Sequence, residues 1–197
     1  MKKFVLIIAA IFFLPSSSIN AQNFGDGVAA YSLQDYIRAR EIWLELAKVN
    51  DFESQYRLAL LYEMGLGVDQ NYTEAHKWYL TSAEGGYAPA QLSLANAYAS
   101  GLEVVEDPYQ AFEWYLIAAE NGVAKAQFHV GSLYILGEVV EKSYIEAYYW
   151  LSLSFLNFDE GTERARALTL LENIGSQMDG DELIEAKKKT DTFKPTQ

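Results

Sequence analysis

The sequence predicts an all-α fold, a solenoid of stacked helix-turn-helix repeats closed by capping helices at its C-terminal end. Three observations predict it. Alanines, bulky pairs and helix-capping residues recur every 36 positions. Each unit reads helix, loop, helix, and is too short to bury its own apolar face, so neighbours must supply the missing burial. Half of the 197 residues are apolar and 14% are aromatic, enough for a packed core.

The chain opens on Lys2 and Lys3, the apolar run "FVLIIAAIFFL", Pro15, three serines and "INA" before Gln22. A basic start, an apolar segment of about a dozen residues and a small exit residue describe a secretory signal peptide cut after Ala21. The run falls short of the ~20 residues a membrane-spanning helix needs. No cysteine follows it, which excludes a lipoprotein anchor. The chain is therefore expected to be periplasmic or secreted, and not membrane-spanning once residues 1–21 are removed. That removal takes two lysines and no acid, leaving 13 basic and 27 acidic side chains, net −14. Such a charge argues against nucleic acid and anionic membrane surfaces as partners. It favours solubility, and a basic partner is compatible with it.

Residues 22–51 form the first hairpin, residues 52–87, 88–123 and 124–159 three full repeats, 160–190 the capping helices and 191–197 a tail. The second helix of each hairpin occurs four times. Ala39, Ala75, Ala111 and Ala147 are 36 apart, and four residues before each stands Asp35, Asn71, Asp107 or Ser143. All four are favoured N-caps, whose side-chain oxygens accept an otherwise unpaired N–H of the first turn. Tyr36, Tyr72, Pro108 and Tyr144 take the first helical position, which suits proline. The bulky pairs Ile42–Trp43, Trp78–Tyr79, Trp114–Tyr115 and Trp150–Leu151 follow each alanine and hold all four tryptophans. Asn50, Gly86 and Gly122 tolerate the left-handed backbone that ends a helix.

The first helix of each full repeat carries Gln55, Gln91 and Gln127, then Leu58, Leu94 and Val130, then the small column Ala59, Ala95 and Gly131. Tyr62, Tyr98 and Tyr134 complete an apolar stripe at i, i+4 spacing, and Gly65, Gly101 and Gly137 stop the helix. Tyr31 lies only eight residues before Ala39, so the first hairpin has a loop about five residues shorter. At the other end, Arg166 breaks the Leu58 column while Ala167 and Leu170 keep register, as a polar-faced cap requires. "DGDELIEAKKK" begins a last helix with acids in its first turn and lysines in its last, matching the helix dipole.

"AQFHVGSLYILGEVV" and "YEMGLGVDQNYTEAHKWYLTSAEGG" resemble the SEL-one-like repeat (SLR), a relative of the tetratricopeptide repeat. The resemblance spans about residues 24–160. Departures are Ser54 at the second alanine of the first copy, Glu103 and Val139 at the second loop glycine, and Leu151 at a tyrosine. The resemblance implies a right-handed superhelix whose curved surface binds another protein or peptide.

Other chemistry is poorly served. The only histidines, His76 and His129, stand at unmatched columns without a second histidine one turn away, which makes a zinc site unsupported. Gly65-Leu66-Gly67 has no preceding strand and no following lysine, so it is a helix-to-helix loop rather than a phosphate cradle. Neither G-x-S-x-G nor S-x-x-K occurs, and there is no cysteine nucleophile. The expected function is an exported, non-catalytic SLR scaffold that binds a protein or peptide in the cell envelope, as a monomer without cofactor or metal. The competing readings are a cell-envelope hydrolase and, because some cysteine-rich relatives are linked to β-lactam binding, a β-lactam- or peptidoglycan-interacting protein.

The tetratricopeptide resemblance places the partner on the concave side, lined by the free face of each first helix. In the first copy this face holds Glu53, Tyr56, Leu60, Glu63 and Met64. The same columns give Leu92, Asn96 and Ser100, then Phe128, His129, Ser132, Ile135 and Leu136. Tyr56, Leu92 and Phe128 form an apolar row with polar neighbours, the pattern of a groove with a few anchors. The same row could equally seal adjacent hairpins together.

Overall fold

The structure, a computed structural model, describes residues 16–101 and 104–194. The apolar run of the expected signal peptide and the loop position Glu103 lie outside the described residues.

Among the described residues the chain forms ten helices and no strand. They are α1 (Ser16–Ser32), α2 (Tyr36–Ala47), α3 (Phe52–Met64), α4 (Tyr72–Glu84) and α5 (Ala88–Ser100). The remainder are α6 (Pro108–Glu120), α7 (Ala124–Leu136), α8 (Tyr144–Asn157), α9 (Thr162–Gly175) and α10 (Gly180–Asp191). Each helix from α1 to α8 packs on the next in sequence, giving a helical repeat solenoid. The expected signal-peptide junction after Ala21 falls inside α1.

The helix boundaries follow from local chemistry. Asp35, Asn71, Asp107 and Ser143 cap α2, α4, α6 and α8, accepting from the amides of Arg38 (3.2 Å), Glu74 (3.0 Å), Gln110 (3.0 Å) and Glu146 (3.2 Å). The cap residues' own amides reach back across the loop, from Asn71 to the Tyr62 carbonyl, Asp107 to Tyr98 and Ser143 to Tyr134. The first helices of the full repeats end on Gly65, Gly101 and Gly137 in the left-handed region. Asn50, Gly86 and Gly122 also have positive φ, as their position after α2, α4 and α6 requires.

The core runs the length of the stack. Ala39, Ala75, Ala111 and Ala147 are buried, and so is the second member of each bulky pair, Trp43, Tyr79, Tyr115 and Leu151. Small residues set how closely the helices approach. A Cβ on Gly131 would stand 2.7 Å from Leu151 Cγ and 3.2 Å from the Ala147 carbonyl oxygen. In the first hairpin, Gly27 leaves α1 against the Trp43 indole, where a Cβ would collide with the ring.

The buried glutamines join successive hairpins. The Nε2 of Gln55, Gln91 and Gln127 donates to the carbonyls of Ala47 (3.1 Å), Ala83 (3.2 Å) and Ala119 (3.1 Å) at the ends of the preceding helices. In two copies the amide is also held at its oxygen. Asn121 donates to Gln91 Oε1 at 2.8 Å, and Asn157 to Gln127 Oε1 at 3.0 Å. In the first copy that asparagine is replaced by Gly85, because the Phe52 ring occupies the space a side chain would need there. Ala88 and Ala124, at the column of Phe52, leave the space open. Gln55 Oε1 accordingly has no hydrogen-bond partner.

The C-terminal end closes differently from a further repeat. Ala167, Leu171 and Ile174 of α9 are buried against α8, whereas Arg166 is exposed. Asp179 and Glu182 form a reciprocal capping box at the start of α10, with Lys188 and Lys189 in its last turn. α10 then turns back to pack on α8. Lys189 pairs with Glu146 and lies 4.4 Å above the Tyr149 ring. The sequence reads residues 191–197 as a tail, but Phe193 packs edge-on against Tyr149 (6.2 Å) and Trp150 (6.3 Å). The reason is apolar burial: these two rings of α8 present a surface that no following hairpin covers.

Candidate functional site

The expected row is found at the seams between hairpins, half-buried at all three positions. Tyr56 of α3 lies 5.7 Å from the Tyr79 ring and 5.3 Å from Tyr87, in the cluster that joins the first and second full repeats. Leu92 packs against the cluster around Ala95, Ala111 and Tyr115. Phe128 packs against that of Ala147, Leu151, Leu171 and Ile174. Each residue therefore contributes to burial while keeping part of its surface free.

The other expected residues are held in several ways. Leu60 and Ile135 also pack on the core clusters. Two polar members are tied to the tyrosine of the following helix: Tyr79 donates to Glu63, and Tyr115 to Asn96 Oδ1 at 2.7 Å. Glu53 pairs with Arg57 one turn on at 3.1 Å, and Ser132 donates to the Phe128 carbonyl at 2.8 Å. Met64, Ser100 and Leu136, at matching ends of α3, α5 and α7, are exposed, as are Asn96 and His129.

Electrostatics follow the crowding. Desolvation pushes the Tyr115 hydroxyl up to about 12, which keeps it a hydrogen-bond donor to Asn96. Tyr87 is raised by desolvation first and by the Glu53 carboxylate second. The His129 ring stacks on Tyr115 at 4.5 Å and meets Phe128 edge-on at 6.2 Å. Although His129 is exposed as a residue, desolvation of the stacked ring and then the Lys125 charge hold its pKa below the ordinary histidine value.

Two adjoining cavities open beside this ring stack. Lys125, Phe128, His129, Phe158, Glu163 and Arg166 line one of about 190 Å³, and the other shares Phe128 and Arg166 with Thr162, Ala165 and Leu170. Only Phe128 and His129 were among the expected site residues. Glu163 and Arg166 lie beyond the last repeat, Phe158 stands in the column of Gly86 and Gly122, and Lys125 occupies the Glu53 column with the opposite charge. A further cleft between α8, α9 and α10 is lined by Tyr148, Phe155, Leu156, Leu168 and Leu183. Among the described residues no group of three or more His, Asp or Glu side chains could hold a metal ion, and no helix is long and apolar enough to cross a membrane.

A family model for the Sel1 repeat matches residues 52–87, 88–123 and 124–155, more than half of the chain. The chain belongs to the Sel1 repeat family. Its three Sel1 repeats are thus the pairs α3–α4, α5–α6 and α7–α8, and the row Tyr56, Leu92, Phe128 supplies one residue from each. A crystal structure of a Sel1 repeat protein from Oxalobacter formigenes is similar, with 28% identity and a TM-score of 0.67 over 83% of this chain and 74% of that one. A protective antigen present in uropathogenic Escherichia coli strains, displaying an SLR fold, is 24% identical with a TM-score of 0.51. That match covers 88% of this chain but 45% of the antigen, and it concerns the fold alone. No curated protein matches the chain significantly. Sel1 repeats are typically protein–protein interaction scaffolds, and this is the role the family gives these helices.

Proposed function

We propose that this chain is an exported, non-catalytic scaffold that binds a protein or peptide in the cell envelope along the first-helix face of its Sel1 repeats. The carrying observation is the row of Tyr56, Leu92 and Phe128, one residue per repeat, each half-buried and continuous with open cavities at Phe128. Rings held by packing but left partly uncovered suit anchoring, because little conformational entropy is lost when a partner covers them. Exposed Met64 and Leu136 extend the same face with adaptable apolar surface.

The test is the double change Tyr56→Ala with Phe128→Ala. Partner capture by the tagged protein from its own host's envelope fraction is expected to fall at least tenfold, about 1.4 kcal/mol. A cooperative melt, lowered but retained, is expected beside it. Loss of the cooperative melt with no separate loss of capture would make the row core and sink the groove. Export rests on the basic start, apolar run and small exit residue of residues 1–21. Intact-mass measurement of the exported fraction is expected to give a chain starting at Gln22, and a mass retaining Met1 would refute this route.

A further inference from the structure

We propose that the cavity between α7 and α9 seats an acidic peptide segment, an apolar side chain beside a carboxylate, with Lys125 and Arg166 taking the charge. The inference rests on the scaffold reading and names the chemistry of the segment that this end of the face accepts.

The argument begins from where the cations are. The chain is strongly acidic, net −12, yet its first-helix face changes sign along the stack. In α3 the one cation, Arg57, is held by Glu53 at 3.1 Å, and α5 has none. Lys125 of α7 and Arg166 of α9 then converge on one cavity of about 190 Å³. Glu163 is the only carboxylate lining it, and it meets Lys125 at a loose 3.6 Å with both side chains more than half exposed. A pair so exposed contributes little and is easily exchanged. The Arg166 side chain makes no hydrogen bond or ion pair among the described residues. The lining therefore holds two cations against one acid.

The rest of the lining is aromatic. Phe128 and Phe158 face the same cavity, and His129, its pKa lowered by desolvation and then by Lys125, adds a third flat ring. An apolar side chain inserted among these rings brings the residue next to it within reach of Lys125 and Arg166. Arginine's planar fork binds a carboxylate by two parallel hydrogen bonds, which fixes orientation as well as charge. A basic residue at the same place would meet two like charges. The surrounding acidic surface repels acidic chains in general, so only a segment that also fills the aromatic cavity gains from binding here.

The probes are short, dye-labelled peptides with amidated C-termini, read by fluorescence anisotropy against the full exported chain. One carries Phe flanked by Asp and Glu, a second replaces the acids with Lys, and a third replaces Phe with Ser. The first is expected to bind at least tenfold more tightly than either control, and to weaken as salt is raised. Lys125→Glu with Arg166→Glu is expected to abolish that preference, while Arg38→Glu, an exposed change on α2, leaves it intact. Both cavity positions are on the surface, and thermal melts establish that the variants fold. Equal binding of the three peptides, no binding of any, or an unaltered preference in the double Glu variant would overturn the inference. A fourth peptide with a free C-terminus separates the source of the carboxylate: binding by that version alone would overturn the internal acidic segment. If the double Glu variant still captures the native partner while Tyr56→Ala with Phe128→Ala does not, the charge assignment fails and the scaffold reading survives.

Discussion

Gly131→Leu is expected to lower the stability of the chain by about 1–3 kcal/mol, and more if the helices cannot part. For a chain of this size that corresponds to a fall of roughly 2–12 °C in melting temperature. A Cβ alone would stand 2.7 Å from Leu151 Cγ and 3.2 Å from a backbone oxygen of α8, so a leucine must push α7 away from α8. The neighbouring copies carry Ala59 and Ala95 in this column, but opposite the flat rings of Tyr79 and Tyr115 rather than a branched leucine. Gly131→Ala separates two opposing effects. It gains up to about 1 kcal/mol of helix propensity, but its Cβ must displace the buried Leu151, so it should be destabilising and less so than the leucine. A Gly131→Leu melt that overlays the parent would refute this account of α7–α8 packing.

The second large effect concerns the glutamine ladder. Gln127→Ala is expected to cost about 1–3 kcal/mol, because it removes a buried bond to the Ala119 carbonyl, which keeps its backbone bond from Gly122, removes the acceptor of Asn157 and leaves a small void. Gln55→Ala should cost distinctly less. Gln55 makes the same bond to Ala47, but its Oε1 is buried without a partner, and removing it relieves a penalty already present. Chemical-denaturation midpoints of the two variants, measured side by side, check the ranking. Equal losses would mean that the asparagine contacts add nothing.

Most of the repeat was legible because stacking imposes it. A helix pair that buries its face only against a copy of itself must keep the same residue type at each contact. The alanine column, the bulky pairs and the glutamine column therefore stand out at a period of 36. The caps were legible for a more local reason. Asp35, Asn71, Asp107 and Ser143 each satisfy an amide within three residues, so nothing distant decides them.

Exchanges between columns were not legible. Phe52 excludes a side chain at position 85, and Ala88 and Ala124 admit Asn121 and Asn157, yet the partners lie about 30 residues apart and none is unusual alone. The C-terminal end was read correctly as a cap with a charge-matched last helix. Its direction was not, since the docking of Phe193 on Tyr149 and Trp150 depends on which rings α8 leaves uncovered.

By itself, then, the sequence determined the repeat, its period, its helix limits and the faces turned inward, all set by contacts that recur in every unit or lie within one turn. Tertiary structure alone decided that the row of Tyr56, Leu92 and Phe128 sits half-buried at the seams, and that Lys125 and Arg166 meet across a cavity. Both depend on how far one helix stands from the next. That distance is fixed by pairs such as Gly131 and Leu151, which lie 20 positions apart and meet only when α7 and α8 have packed.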